Sequence, residues 1–239
     1  MGISKTGVPG LGILVVPLLA VVFGGWSSVG IMLPMLIVGD VFAVLWYRRH
    51  AHWDKLLRLF PWVVVGLAVG ALTMWKLGQV KSSKDILNPI IGSLVLIMLA
   101  LHLLQGRLGE RITPKSGIGM AGTGVTAGFA TTVSNAAGPV MQIYLAAHKL
   151  RKDEFMGTLA WYFLIVNLSK VPVYAAISFM NPKNPMMTGQ SLIYDLIAVP
   201  VIIVGVFVGK WMLPRISQRL FTDLVLALAA ISAVRLIVG

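Results

Sequence analysis

GIGMAGTGVTAGFATTVSNAAGPVMQIYL, residues 117–145, is apolar enough to enter a bilayer, yet Gly117, Gly119, Gly122, Gly124, Gly128, Gly138 and Pro139 interrupt it. Thr131, Thr132, Ser134 and Asn135 crowd the positions just before the proline. Pro139 has no backbone N–H to donate and biases Gly138 away from helical angles. A helix therefore breaks between Ser134 and Gly138 and restarts at Pro139. The restart is a helix N-terminus, whose unpaired N–H groups and positive dipole end favour an anion. Irregular backbone at membrane depth is tolerated only inside protein or beside a water-filled cavity, where transporters with broken helices hold their substrates. The alternative is that a glycine-rich helix serves only close packing against its neighbours.

The rest of the chain reads the same way. Its 239 residues are 57% hydrophobic and 12% charged, and the mean hydropathy is +0.87, values of an all-α polytopic membrane protein rather than a soluble domain. There is no cysteine, which excludes disulfides and thiolate metal sites. The net charge of +12 sits mostly in short loops, where Lys and Arg set topology, so no nucleic-acid partner is implied. Apolar segments fall near 8–24, 28–47, 58–77, 87–104, 117–147, 154–180, 190–213 and 220–238, about eight spans of about twenty residues each. The connection from Arg48 to Arg58 is rich in Lys and Arg and points to a cytoplasmic face.

An internal repeat organises these segments. Pro61, Gly66 and Gly70 recur as Pro200, Gly205 and Gly209 at a constant offset of 139, while Gly12 to Leu18 falls on Pro139 to Leu145 at an offset of 127. The chain divides into two homologous four-segment repeats, residues 1–112 and 113–239, each with a Gly/Pro-interrupted first segment. Four spans per half place the repeats in parallel unless a broken segment is re-entrant. Residues 117–127 have no counterpart in the first half. The expectation is either an upstream start or a first half that opens on a half-helix.

The first half carries its own break, Ser4-Lys5-Thr6-Gly7-Val8-Pro9-Gly10, and the repeat sets Lys5 on Thr132, so that a cation and a hydroxyl cluster meet across a pseudo-symmetry axis. Lys5, Thr6, Thr131, Thr132, Ser134 and Asn135 are the expected lining of an anion site, with backbone N–H groups around Gly10 and Gly138 as donors. The competing view of Lys5 is a lysine resting at the membrane interface. Lys170, deep in the sixth segment, is a site residue by default or a cation neutralised by Asp40 or Asp195. Asp40, buried by position, is the candidate for coupling to protons. His50 and His52 lack carboxylate or thiolate partners in sequence, so no metal is expected. No cofactor is expected, and no catalytic motif is present, so the chain is not read as an enzyme.

Ser4 to Leu19, Gly39-Asp40, Pro61 with Gly66 and Gly70, and the repeated Pro200, Gly205 and Gly209 resemble the TauE/SafE family of sulfite exporter-like membrane transporters over nearly the whole chain. The resemblance implies secondary transport of small sulfur-containing anions, such as sulfite, thiosulfate or sulfonates, across a cell inner membrane by a multi-pass fold of two helical repeats. The chain departs from the family pattern in its shortened first span and in Ser134 to Pro139, where many members carry a run of glycines. The implied partners are a small anionic substrate, the lipid bilayer and, as a candidate, a second copy of the chain. The second function class is a structural or assembly membrane protein that transports nothing.

Overall fold

The computed structural model describes residues 2, 5, 12–79, 83–108, 117–212, 227 and 230–238. Thr6 and Gly10 lie outside the described residues, as does much of the segment expected at 220–238. The ordered helices are α1 (Gly12–Phe23), α2 (Gly25–Tyr47), α3 (Trp53–Gly78), α4 (Ser83–Leu108), α5 (Gly117–Ser134), α6 (Gly138–Ala146), α7 (Lys152–Met180) and α8 (Gly189–Met212). No strand occurs among the described residues. Four stretches, Gly25–His50, Trp53–Gly78, Lys152–Met180 and Gly189–Val208, are long and apolar enough to cross a membrane, and Gly12–Phe23 and Ile86–Leu101 are shorter apolar helices.

The break opens where the residues dictate. Asn135 takes a left-handed conformation with φ 57°, which a side chain of this type tolerates, and ends α5. Pro139 enters in the first turn of α6, where a missing N–H costs nothing. At the other junction Gly24 has φ 77° and ψ 150°, a backbone shape reserved for glycine, and the N–H of Gly25 is capped by Asn88 Oδ1 at 2.7 Å.

Packing then decides the direction of each helix. α3 and α5 run side by side in the same sense, for a Cβ on Gly66 would meet Val125 and Phe129, one on Gly128 would meet Val63 and Leu67, and one on Gly70 would meet Thr132. Small residues here let two backbones touch. α6 then doubles back, since the Tyr144 hydroxyl donates to Lys55 O at 3.0 Å in the first turn of α3. The stretch read from sequence as one broken span, 117–147, is therefore a re-entrant hairpin that enters and leaves at one end of the molecule.

α2 and α7 are antiparallel. Trp161 Nε1 donates to Arg48 O at 3.4 Å and His52 N donates to Thr158 Oγ1 at 2.9 Å at this loop end. Asp40 meets Asn167 in the middle. At the opposite end the segment 181–188 closes over the helices: Trp26, fully buried, donates to Asn184 O at 3.0 Å, a Cβ on Gly30 would meet Met186 O, and Ser178 Oγ accepts the N–H groups of Met186 and Met187 at 3.1 and 3.0 Å. Among the Lys and Arg whose side chains are described, those of the two ends are unequal. Arg48, Arg49, Lys55, Arg58, Lys149, Arg151 and Lys152 belong to the loop end, Lys76 and Lys183 to the other.

Candidate functional site

The hairpin tip of α5–α6 meets Lys5 and the start of α1 at the mid-length of α2 and α7, and a cavity of about 70 Å³ remains between them. One buried water needs about 10–15 Å³ on that scale, so a small polyatomic ion fits. Lys5, Asp40, Thr131, Asn135, Gly138, Gln142 and Asn167 provide its polar wall, and Leu36, Leu159 and Phe163 are among its apolar residues. Ala43 and Met156 extend the lining toward the loop end.

Two networks share this wall. In the first, Lys5 Nζ lies 2.6 Å from Asp40 Oδ1 and 4.2 Å from the centroid of the Phe163 ring, a cation held both by a carboxylate and by an aromatic face. Gly39 makes room for it, since a methyl there would stand 3.0 Å from Lys5 Cγ. The other carboxylate oxygen, Asp40 Oδ2, accepts from Asn167 Nδ2 at 2.6 Å. In the second, Lys170 Nζ donates to Thr131 O at 3.0 Å, Thr131 Oγ1 at 3.1 Å and Asn135 Oδ1 at 2.6 Å. All three of its protons are used. The cation thereby caps the C-terminal carbonyls of α5, where the helix dipole favours it. Asn135 Nδ2 donates to Val29 O at 3.1 Å, which ties the tip to α2.

The expected residues separate accordingly. Lys5, Asp40, Thr131, Asn135 and Gly138 come together at the cavity. Thr132 and Ser134 do not: their hydroxyls donate back to Gly128 O and Ala130 O at 2.8 Å each, the usual fate of a hydroxyl within a helix, and α5 turns Thr132 toward Gly70 of α3. Lys170 is behind the wall rather than on it, bordering instead an apolar crevice with Phe60, Val63 and Val173. It forms no ion pair with Asp40 or Asp195. Asp195 is buried, and its two carboxylate oxygens have no hydrogen-bond partner among the described residues. Thr132→Val and Ser134→Ala should accordingly leave substrate affinity within about twofold of wild type, because each hydroxyl serves its own helix. A flux assay at equal folded protein checks this, and a tenfold loss of affinity in either would return that hydroxyl to the site.

Asn167 and Gln142 escaped the sequence reading. Asn167 carried a signal, because the offset of 127 that relates the halves is also the separation between Asp40 and Asn167. Gln142 carried only its polarity within an apolar helix.

A family model described as Sulfite exporter TauE/SafE matches residues 2–236. No match was found among curated proteins or among solved structures.

Proposed function

This chain belongs to the TauE/SafE sulfite exporter family, and from that premise we propose that it is a multi-pass secondary transporter of small sulfur-containing anions in the cell inner membrane, working by alternating access. One observation carries the reading: a lysine, Lys5, on the wall of a cavity beside the break between α5 and α6, in the middle of apolar helices. A cation at that depth is expensive to keep and is characteristic of an ion pathway. The break between α5 and α6 supplies the remaining feature of such a site, a helix N-terminus at Gly138 directed at the substrate.

The alternating mechanism rests on the direction of the helices. With α5–α6 returning to its own side, α2 and α7 pass through in opposite senses. Residues 1–112 and 113–239 are thus an inverted pair, with Asp40 and Asn167 facing each other near the axis that relates them. Inverted halves that exchange conformations open a fixed central site first to one side and then to the other. The cavity lining runs toward the loop end, while Trp26, Asn184 and Met186 seal the opposite end. The excess of Lys and Arg at the loop end supports a cytoplasmic position for it.

Asp40 is the residue for coupling. The proton that an anion held at Lys5 shares with the Asp40 carboxylate enters and leaves with that anion, so that proton and anion travel together. The test is uptake of labelled sulfite, thiosulfate and a sulfonate into proteoliposomes under an imposed proton gradient. Saturable flux of at least one anion is expected. Its absence for all of them, in protein shown to be folded, would favour a structural or assembly role, with the saturated Lys170 network as a packing device.

A further inference from the structure

The hydrogen-bonding capacity left over in the cavity is uneven. Thr131, Asn135 and Lys170 are committed to one another, and Lys5 is in contact with Asp40. Gln142 is different. It lines the cavity, it is only 6% exposed, and its amide has no hydrogen-bond partner among the described residues. Its Nε2 lies 3.8 Å from the position a methyl on Gly138 would take, so the amide rests against the N-terminal turn of α6. Asn167 Oδ1, on the same wall, is a buried acceptor without a hydrogen-bond partner among the described residues, and polar groups left so are costly unless a ligand or water meets them.

The wall consequently offers donors from Lys5, Gln142 Nε2 and the first turn of α6, but also acceptors, Gln142 Oε1, Asn167 Oδ1 and the Asp40 carboxylate. An anion drawn to Lys5 arrives beside Asp40, which stands 2.6 Å from that lysine. A fully deprotonated oxyanion has only acceptors to present to it. An oxyanion that retains an O–H can donate to Asp40 or to Gln142 Oε1 while its other oxygens take the donors.

Resting on the transporter reading, we propose that the cavity selects a singly charged oxyanion that keeps its own O–H, and that Gln142 is the residue that sets this preference. A site built to bond a hydroxyl rejects analogues that lack it more sharply than a site that measures size alone.

The experiment is competition against labelled sulfite uptake in proteoliposomes, at a pH where sulfite is mostly the hydrogen anion. Methanesulfinate, equally charged with a methyl in place of the hydroxyl, and sulfate, which has no O–H, are the competitors. Both should compete at least about tenfold less well than unlabelled sulfite, the equivalent of one net hydrogen bond. In Gln142→Leu the gap should close to about threefold or less, with sulfite itself bound more weakly. Equal competition in wild type, or an unchanged gap in Gln142→Leu, overturns the proposal while leaving transport intact. The wild-type comparison stands even if that variant does not fold. A wild type that neither binds nor moves sulfite overturns this selectivity, and one that moves none of sulfite, thiosulfate and a sulfonate overturns the transporter reading as well.

Discussion

Lys5→Ala is expected to abolish saturable anion flux, with a drop of about 10²–10³-fold. Two unit charges 4 Å apart at an effective dielectric of 20 interact by about 4 kcal/mol. Among the described residues Lys5 is the one cation on the cavity wall, and without it a substrate faces Asp40 with nothing to offset the repulsion. The same change strands Asp40, which is fully buried, with Asn167 as its remaining partner. Breaking a buried pair from one side costs about 3–5 kcal/mol of stability, so loss of flux alone does not distinguish a missing ligand from a damaged fold. The double variant Lys5→Ala/Asp40→Asn makes that distinction, because it removes the stranded charge. Thermal unfolding in detergent should show most of the lost stability restored, and proteoliposome uptake should remain absent. Uptake recovered together with stability would mean that Lys5 serves only to neutralise Asp40 and that the anion binds elsewhere.

Asn135→Ala should destabilise the protein by about 2–5 kcal/mol, through two effects of known sign. Its left-handed backbone, φ 57°, costs an alanine about 1–2 kcal/mol. The lost amide deprives the buried Lys170 of an acceptor at 2.6 Å and Val29 O of a donor, and each orphaned buried group costs about 1–3 kcal/mol. Asn135→Gly isolates the second effect, since glycine accepts the backbone shape. Melting curves for the three proteins should therefore rank wild type above glycine above alanine. Flux should fall in both variants because the hairpin tip loses its tie to α2, but with less change in apparent affinity than Lys5→Ala produces. A large affinity loss without a loss of stability would make Asn135 a direct ligand rather than a tie between Lys170 and Val29 O.

Much of this arrangement was legible in the residues. Pro139 and the cluster before it located the break to within a residue or two, because a missing N–H and a left-handed asparagine act locally. Gly66, Gly70 and Gly128 were legible as contact points for the same reason, since only a missing side chain permits that approach. The readings that failed concern rotation about a helix axis. Thr131 and Thr132 are neighbours in sequence, yet they stand about 100° apart around α5, so one meets the cavity and the other meets α3. Lys170 was legible as a buried cation but not as one whose protons are all taken, because its acceptors lie on α5 and at the chain break.

The sequence by itself determined that this is an apolar helical chain broken just before Pro139, with its charges in short loops and a few ionisable groups at depth. Those properties follow from transfer energy, residue by residue, and from the backbone chemistry of proline, glycine and asparagine. Only the tertiary structure decided that the break is the tip of a hairpin, that Lys5 pairs with Asp40 while Lys170 braces the tip, and that Gln142 is left with an open amide. A proline ends a helix but does not set the angle at which the next one leaves. That angle, and with it the choice of partner for every buried polar group, comes from how α2, α3, α5 and α7 pack against one another.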